Sequence, residues 1–300
     1  MNIIFMGTPD FAIPSLNALV QSKHKVVAAV TTPDKERGRG QKVSFTPIKE
    51  FAVKNSIPVL QPDKLKDEKF ISDLKSFNPD LFVIVAFRIL PREVFTIPAK
   101  GSFNLHGSLL PKYRGAAPIQ WALIKGESET GLTTFMLADK VDTGNILLQE
   151  KNEILPDDNF ESLHDRMSLK GAELVINTVD KIDSGNFELI KQDDSLATPA
   201  PKITKDICLI DWNKPAEEVH NLVRGLSPHP VAYFLFNSKV IKVYKTEIAK
   251  NLTLKPFEFH QSKTELIIGC GKDAVRILEI QQEGKKRMGV EEFLRGFSFG

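Results

Sequence analysis

Short apolar runs alternate with helix-like stretches through the first half of the chain. Residues 2–6 predict a strand and 13–22 a helix. The Val-rich segment 25–31 predicts a second strand, and a polar loop then leads to a helix over 48–55. Residues 81–86, Leu-Phe-Val-Ile-Val-Ala, are apolar without a break, which is the pattern of a strand covered on both faces. Residues 101–106 predict the next strand, 131–137 and 146–150 a further pair, and 160–183 a long helix. Such alternation predicts a parallel sheet with helices on its faces.

The pattern then changes. Residues 184–205 are polar, are interrupted by Pro199 and Pro201, and carry no helical period, so they read as an extended linker. A helix over 216–224 ends at Gly225. Segments 231–236, 239–245, 264–269 and 274–280 predict short strands, as in a small β-barrel or sandwich.

A chain of 300 residues with 42% hydrophobic content is long enough for a sizeable core and for two domains. No apolar run reaches membrane-spanning length. The start, Met1-Asn2-Ile3-Ile4-Phe5, lacks the basic region and long apolar segment of a secretory signal. Cys208 and Cys270 form no metal-like cluster and lie too far apart for a redox motif, so a reduced, cytoplasmic setting is the expectation. The net charge is +2, and residues 206–300 hold 14 Lys+Arg against 12 Asp+Glu, so the excess lies in the last third.

Chemistry concentrates in residues 104–115, Asn-Leu-His-Gly-Ser-Leu-Leu-Pro-Lys-Tyr-Arg-Gly. On a strand, positions i and i+2 share a face, so Asn104 and His106 are expected side by side, with Leu105 turned into the core. A neutral amide donor beside a titratable imidazole suits a carbonyl oxygen that becomes an oxyanion. Asp142, in Asp142-Thr143-Gly144, is the candidate to orient that imidazole, with Asp139 its competitor on spacing; Asp-x-Gly is also ordinary turn chemistry. Gly7-Thr8-Pro9-Asp10 joins the first strand to the first helix but is not a dinucleotide fingerprint, so a nicotinamide oxidoreductase is disfavoured. A basic loop over 34–49 carries Lys35, Arg37, Arg39, Lys42 and Lys49. Lys239, Lys242, Lys245 and Lys285-Lys286-Arg287 form later basic groups that could follow a phosphate backbone, or be solvated surface.

Taken together these segments resemble the methionyl-tRNA formyltransferase family. The match runs in order through Gly7-Thr8-Pro9-Asp10-Phe11-Ala12, Gly38-Arg39-Gly40, the stretch from Asn104 to Gln120, Asp142-Thr143-Gly144, Ile210-Asp211-Trp212 and Gly284-Lys285-Lys286-Arg287-Met288. The resemblance implies an α/β fold: a Rossmann-like formyltransferase domain with a predominantly parallel sheet over 1–185, a linker over 186–205, and an OB-like β-barrel over 206–300 that binds tRNA. It implies formyl transfer from the co-substrate 10-formyltetrahydrofolate to the α-amino group of initiator methionyl-tRNA by a cytoplasmic monomer, without a metal or a membrane. Asn104, His106 and Asp142 match the family's catalytic positions. Ser108, Leu109, Leu110 and Pro111, with Phe87 and Leu90, match its folate site. Arg37, Arg39, Lys42, Lys242, Lys285, Lys286 and Arg287 are the tRNA contacts it implies. One departure stands out: Ala86-Phe87-Arg88-Ile89-Leu90-Pro91 is one residue shorter than the family's usual segment and has Arg in place of Gly. A rival formyltransferase acting on a small amine shares the same site but has no use for a second basic domain. A non-catalytic RNA-binding module leaves Asn104, His106 and Asp142 unexplained.

Overall fold

A computed structural model describes residues 1–37 and 42–299. The chain runs β1 (Asn2–Gly7), α1 (Ile13–Gln21), β2 (Lys25–Val30), β3 (Lys35–Arg37), β4 (Lys42–Ser44), α2 (Pro47–Lys54), β5 (Val59–Leu60), α3 (Glu68–Ser76), β6 (Leu81–Val85), α4 (Arg92–Phe95), β7 (Ser102–His106), α5 (Pro118–Ile124), β8 (Glu129–Met136), β9 (Ile146–Glu153) and α6 (Phe160–Ser184). It continues through α7 (Ala216–Leu226), β10 (Ala232–Phe236), β11 (Lys239–Ala249), β12 (Phe259–Gln261), β13 (Leu266–Gly269), β14 (Ala274–Gln282), β15 (Met288–Gly289) and α8 (Val290–Leu294). Contacts divide it into two compact units. One comprises Met1–Gly115, Gly131–Asn152 and His164–Pro199; the other comprises Ala116–Thr130, Glu153–Leu163 and Ala200–Gly300.

The first unit is built on a seven-stranded sheet in the order β5-β2-β1-β6-β7-β8-β9. Pairs from β5 to β7 are parallel, and β8 runs antiparallel to β7. The unbroken apolar sequence of β6 has its physical reason here: all five residues are buried, because the strand is covered on both faces. On one face, Ile4, Met6, Ala28, Phe82 and Ile84 pack against Phe70, Leu74, Val94 and Phe95. The chain leaves β1 on one side towards β2 and β5, then returns on the other through β6 and β7. Strand order therefore reverses beside β1, which opens a crevice at the carboxyl ends of β1 and β6.

Local signals set the helix starts. The Thr46 hydroxyl accepts from the Lys49 N–H at 3.1 Å, with Pro47 opening α2, and the Asp67 carboxylate accepts from the N–H groups of Lys69 and Phe70. The polar loop expected after β2 contains a short antiparallel pair, β3 with β4, from Lys35↔Ser44 to Arg37↔Lys42.

In the second unit, β10, β11, β14, β13 and β12 form an antiparallel sheet, with β15 added to β14. Its outer strands β10 and β12 meet through rings rather than a ladder. Phe236 and Phe259 stand 5.3 Å apart, and Phe299 stacks on Phe259 at 5.0 Å. Phe234, 1% exposed, joins the same cluster and packs edge-on against Trp212. Burying a ring of this size stabilises by about 1.5–3 kcal/mol, so the final residues of the chain close the barrel-like sheet. No helix among the described residues is long and apolar enough to cross a membrane.

Candidate active site

Register places the chemistry. Gly7 of β1 lies opposite Val85 of β6, and Val85 lies opposite Leu105 of β7, so all three strands end at one edge. Gly7 has to be small: a Cβ there would stand 2.9 Å from the Ala12 Cβ and 3.0 Å from the Val85 carbonyl oxygen. Asn104 pairs with Ile84 on one side and Phe135 on the other, and His106 pairs with Thr133. Asn104 is partly exposed, and among the described residues its side-chain amide engages no partner. An amide held on a central strand with its donors free is a preorganised hydrogen-bond source.

His106 is 5% exposed and packs edge-on against Phe135. Its Nε2 lies 2.9 Å from the Tyr113 carbonyl oxygen. A carbonyl only accepts, so Nε2 carries the proton, and the atom left to gain or lose one is Nδ1. Nδ1 faces the Asp142 Oδ2 at 3.9 Å, which is ion-pair range and too long for a direct hydrogen bond. Asp142 sits at φ +54°, a left-handed conformation that Asp tolerates better than most residues. Its Oδ2 accepts from the Gly115 N–H at 2.8 Å. Gly144, two residues on, cannot carry a side chain, because a Cβ would fall 1.6 Å from the Met136 carbonyl oxygen. Asp139 is elsewhere engaged, accepting from Arg92 Nη1 through both oxygens at 2.9 Å. Of the two carboxylates considered on spacing, Asp142 is the one beside His106.

The 108–111 loop is tied down from β8 and β9. Thr133 Oγ1 donates to the Ser108 carbonyl at 2.6 Å and accepts from the Leu110 N–H at 3.1 Å and Gln149 Nε2 at 3.0 Å. Gln149 Nε2 also donates to the Leu110 carbonyl at 2.9 Å. Ser108 is fully buried, with its hydroxyl donating to the Lys112 carbonyl, so this residue braces the loop from inside. Leu110 packs with Phe135 and Ile146, whereas Leu109 and Pro111 are half-buried. Thr133→Val keeps the shape of the side chain and strands two buried backbone groups, the Ser108 carbonyl and the Leu110 N–H. It should lower unfolding free energy by about 1–3 kcal/mol and loosen the loop, measured by denaturant titration against the wild type.

The shortened segment before β7 has its own anchor. Ala86 adopts φ +50°, and Arg88 reaches back to donate to the carbonyls of Asp63 at 3.0 Å and Pro62 at 2.6 Å. Its guanidinium also lies 5.3 Å from the Phe87 ring centroid, and burial pushes it below its ordinary pKa, partly offset by Asp63. Arg88 thus fastens the segment. Beside it is an open hollow lined by Leu65, Ile89, Leu90, Pro91, Phe95 and Asp139. Leu90 belongs to the expected folate set and lines this hollow; Phe87 packs on the core cluster that contains Leu90.

The formyl transferase family model matches residues 1–179, and the model for the formyl transferase C-terminal domain matches 202–298. A methionyl-tRNA formyltransferase of Caldanaerobacter subterraneus subsp. tengcongensis is 48% identical over 299 residues, covering 99% of this chain and 97% of that one. One from Geobacter metallireducens is 45% identical, covering 99% and 96%. This chain belongs to the methionyl-tRNA formyltransferase family. Among solved structures, an N-formyltransferase of Helicobacter canadensis in complex with folinic acid and dTDP-3-aminofucose shares the fold, with a TM-score of 0.68 at 22% identity over 92% of this chain and 98% of that one.

Of the family's expected tRNA contacts, Arg39 lies outside the described residues, and Arg37 and Lys42 are described by backbone alone, paired across β3 and β4. In the second unit, Lys242 pairs with Gln281, whose side chain donates to the Lys285 carbonyl and accepts from the Tyr244 hydroxyl. Arg287 lies 4.4 Å over the Tyr244 ring and donates from Nε to Glu279 Oε2 at 2.7 Å. Lys285 and Lys286 are exposed. Lys242 and the 285–287 turn therefore surround one Tyr–Gln pair, while Arg287 is already engaged. Among the described residues no group of three or more His, Cys, Asp or Glu side chains is placed to hold a metal ion. Sequence reading missed Thr133, Gln149 and Gln192, whose contacts are all long-range.

Proposed function

We propose that this chain transfers the formyl group of 10-formyltetrahydrofolate to the α-amino group of initiator methionyl-tRNA. The observation that carries the reading is the unengaged Asn104 amide, two residues along β7 from the His106 that faces Asp142. The identity to methionyl-tRNA formyltransferases over 99% of the chain supports the same acceptor. The amine nitrogen bonds to the formyl carbon, and charge gathers on its oxygen, where the Asn104 amide donates. As the carbon–N10 bond breaks, the proton leaving the amine passes through Nδ1 of His106, beside the Asp142 carboxylate, to N10. Placement and hydrogen bonding suffice to activate the amide. Folate is taken by Leu109, Pro111, Phe87 and Leu90, with Ser108 and Leu110 holding the loop from inside and the hollow beside Leu90 receiving its ring system.

As functional domains, residues 1–185 carry out transfer, 206–300 hold tRNA and 186–205 connect them, in a cytoplasmic monomer. Arg37, Arg39, Lys42, Lys242, Lys285, Lys286 and Arg287 contact tRNA phosphates. Lys285→Ala with Lys286→Ala should therefore flatten the slope of log Kd against log salt by roughly 1–2, measured by filter binding at several salt concentrations; an unchanged slope removes these two residues from the contact. The function itself is tested by supplying 10-formyltetrahydrofolate with charged initiator tRNA or with small amines and following tetrahydrofolate release. Release with small amines and none with tRNA overturns the acceptor.

A further inference from the structure

Gln192 lies within the segment that reads in sequence as a featureless linker, yet it is 6% exposed and its amide is fully used. Its Oε1 accepts from Arg114 Nε at 3.1 Å and Arg114 Nη2 at 2.7 Å. Its Nε2 donates to the Asp142 carbonyl at 3.0 Å and the Gly144 carbonyl at 2.7 Å. One amide therefore binds two separate pieces of chain. Tyr113, Arg114 and Gly115 form one piece, whose Tyr113 carbonyl fixes His106 and whose Gly115 N–H fixes the Asp142 carboxylate. The other is the Asp142-Thr143-Gly144 turn, which begins at a positive φ.

The chain around Gln192 is held in place independently. Ile190 exchanges backbone hydrogen bonds with Ile146, the Arg114 N–H donates to the Thr198 carbonyl at 2.8 Å, and the Tyr113 N–H donates to the Thr198 hydroxyl at 2.9 Å. Arg114 Nη2 also donates to Asp194 at 2.7 Å, which turns its fork towards Gln192. Asp142 lies in a turn and His106 at the end of β7, and no direct hydrogen bond joins their side chains across 3.9 Å. Their separation is thus set by the chain that carries and flanks them, and Gln192 ties the 142–144 backbone to the Arg114 guanidinium, between the Tyr113 carbonyl that meets His106 and the Gly115 N–H that meets Asp142.

We propose that Gln192 is a positioning residue: it fixes the distance and orientation of the Asp142 carboxylate relative to His106. The inference rests on the reading of Asp142 and His106 as the proton-handling pair. An amide is the side chain that fits, because the two carbonyls need donors while the guanidinium needs an acceptor. A carboxylate of the same length would still hold Arg114 but would turn both carbonyl contacts repulsive.

The test uses the full-length chain with Gln192→Met, Gln192→Glu and Asp142→Asn. Single-turnover formyl transfer, KM for folate and for charged tRNA, and the ¹⁵N ring signals of His106 are measured in each. Both Gln192 variants should lose on the order of 10²-fold in the chemical step, the scale of an ångström-sized misplacement, with KM little changed and with displaced His106 signals. Gln192→Glu retains the Arg114 contact and serves as the folded variant if Gln192→Met fails to fold. The inference is overturned if Gln192→Glu turns over like the wild type, or if either folded variant shows unchanged His106 signals, which would reduce Gln192 to a prop for stability. Slow Asp142→Asn with fast Gln192 variants defeats this inference alone. Fast Asp142→Asn defeats the reading of the pair on which it rests.

Discussion

Asn104→Ala is expected to lower kcat for formyl transfer by about 10²–10³-fold, the cost of one oxyanion donor, while leaving the fold intact. Both halves of that expectation come from the same observation. The Asn104 amide engages no protein group among the described residues, so removing it strands no buried partner. The backbone of residue 104 stays pinned between Ile84 and Phe135 whatever its side chain. The loss should therefore fall on the chemical step, with KM for folate and tRNA changing far less, since a donor aimed at developing charge contributes little to ground-state binding. Single-turnover rates with saturating 10-formyltetrahydrofolate and charged initiator tRNA, beside thermal melts of both proteins, decide it. A rate within about threefold of wild type, well below the cost of an oxyanion donor, removes Asn104 from the mechanism.

Much of this site is written locally in the sequence. The uninterrupted apolar run of β6 announces a strand covered on both faces, and the i, i+2 spacing of Asn104 and His106 puts them together at a strand's end before any tertiary contact is considered. Asp142 announces itself less clearly, since Asp-x-Gly marks a turn wherever it occurs. What separates it from Asp139 is the Gly115 N–H that it accepts and the Arg92 that holds the other carboxylate. Helix α3 is not legible from periodicity although Asp67 caps it with two hydrogen bonds, because its core contribution is two buried side chains, Phe70 and Leu74, too sparse a stripe. Gln192 was illegible for a different reason. It serves through four hydrogen bonds to atoms 48 to 78 residues away, two with a guanidinium and two with backbone carbonyls, and none with any sequence-coded pattern around it. Local periodicity reports which face of an element is buried; it carries no record of which distant loop a polar side chain holds.

Asp142→Asn is the second large effect, and its value lies in how little it changes. Asparagine keeps an oxygen to accept from the Gly115 N–H, tolerates the left-handed backbone that Asp142 adopts, and leaves the Gln192 contacts to the 142 and 144 carbonyls in place. The negative charge 3.9 Å from His106 Nδ1 is what disappears. With Nε2 committed to the Tyr113 carbonyl, Nδ1 is the only ring atom on which a proton from the attacking amine can land, and without the carboxylate the imidazolium so formed has no counter-charge. The expected loss in kcat is about 10²–10⁴-fold, the range of a general acid–base contribution, together with a changed pH–rate profile. Pairing it with Asn104→Ala sharpens the result. The oxyanion donor and the proton-handling pair act on one transition state, so the double variant should lose less than the product of the two single losses. Fully multiplicative losses would mean that the two groups contribute independently of one another, and an unaltered pH profile in Asp142→Asn would mean that the carboxylate takes no part in moving the proton.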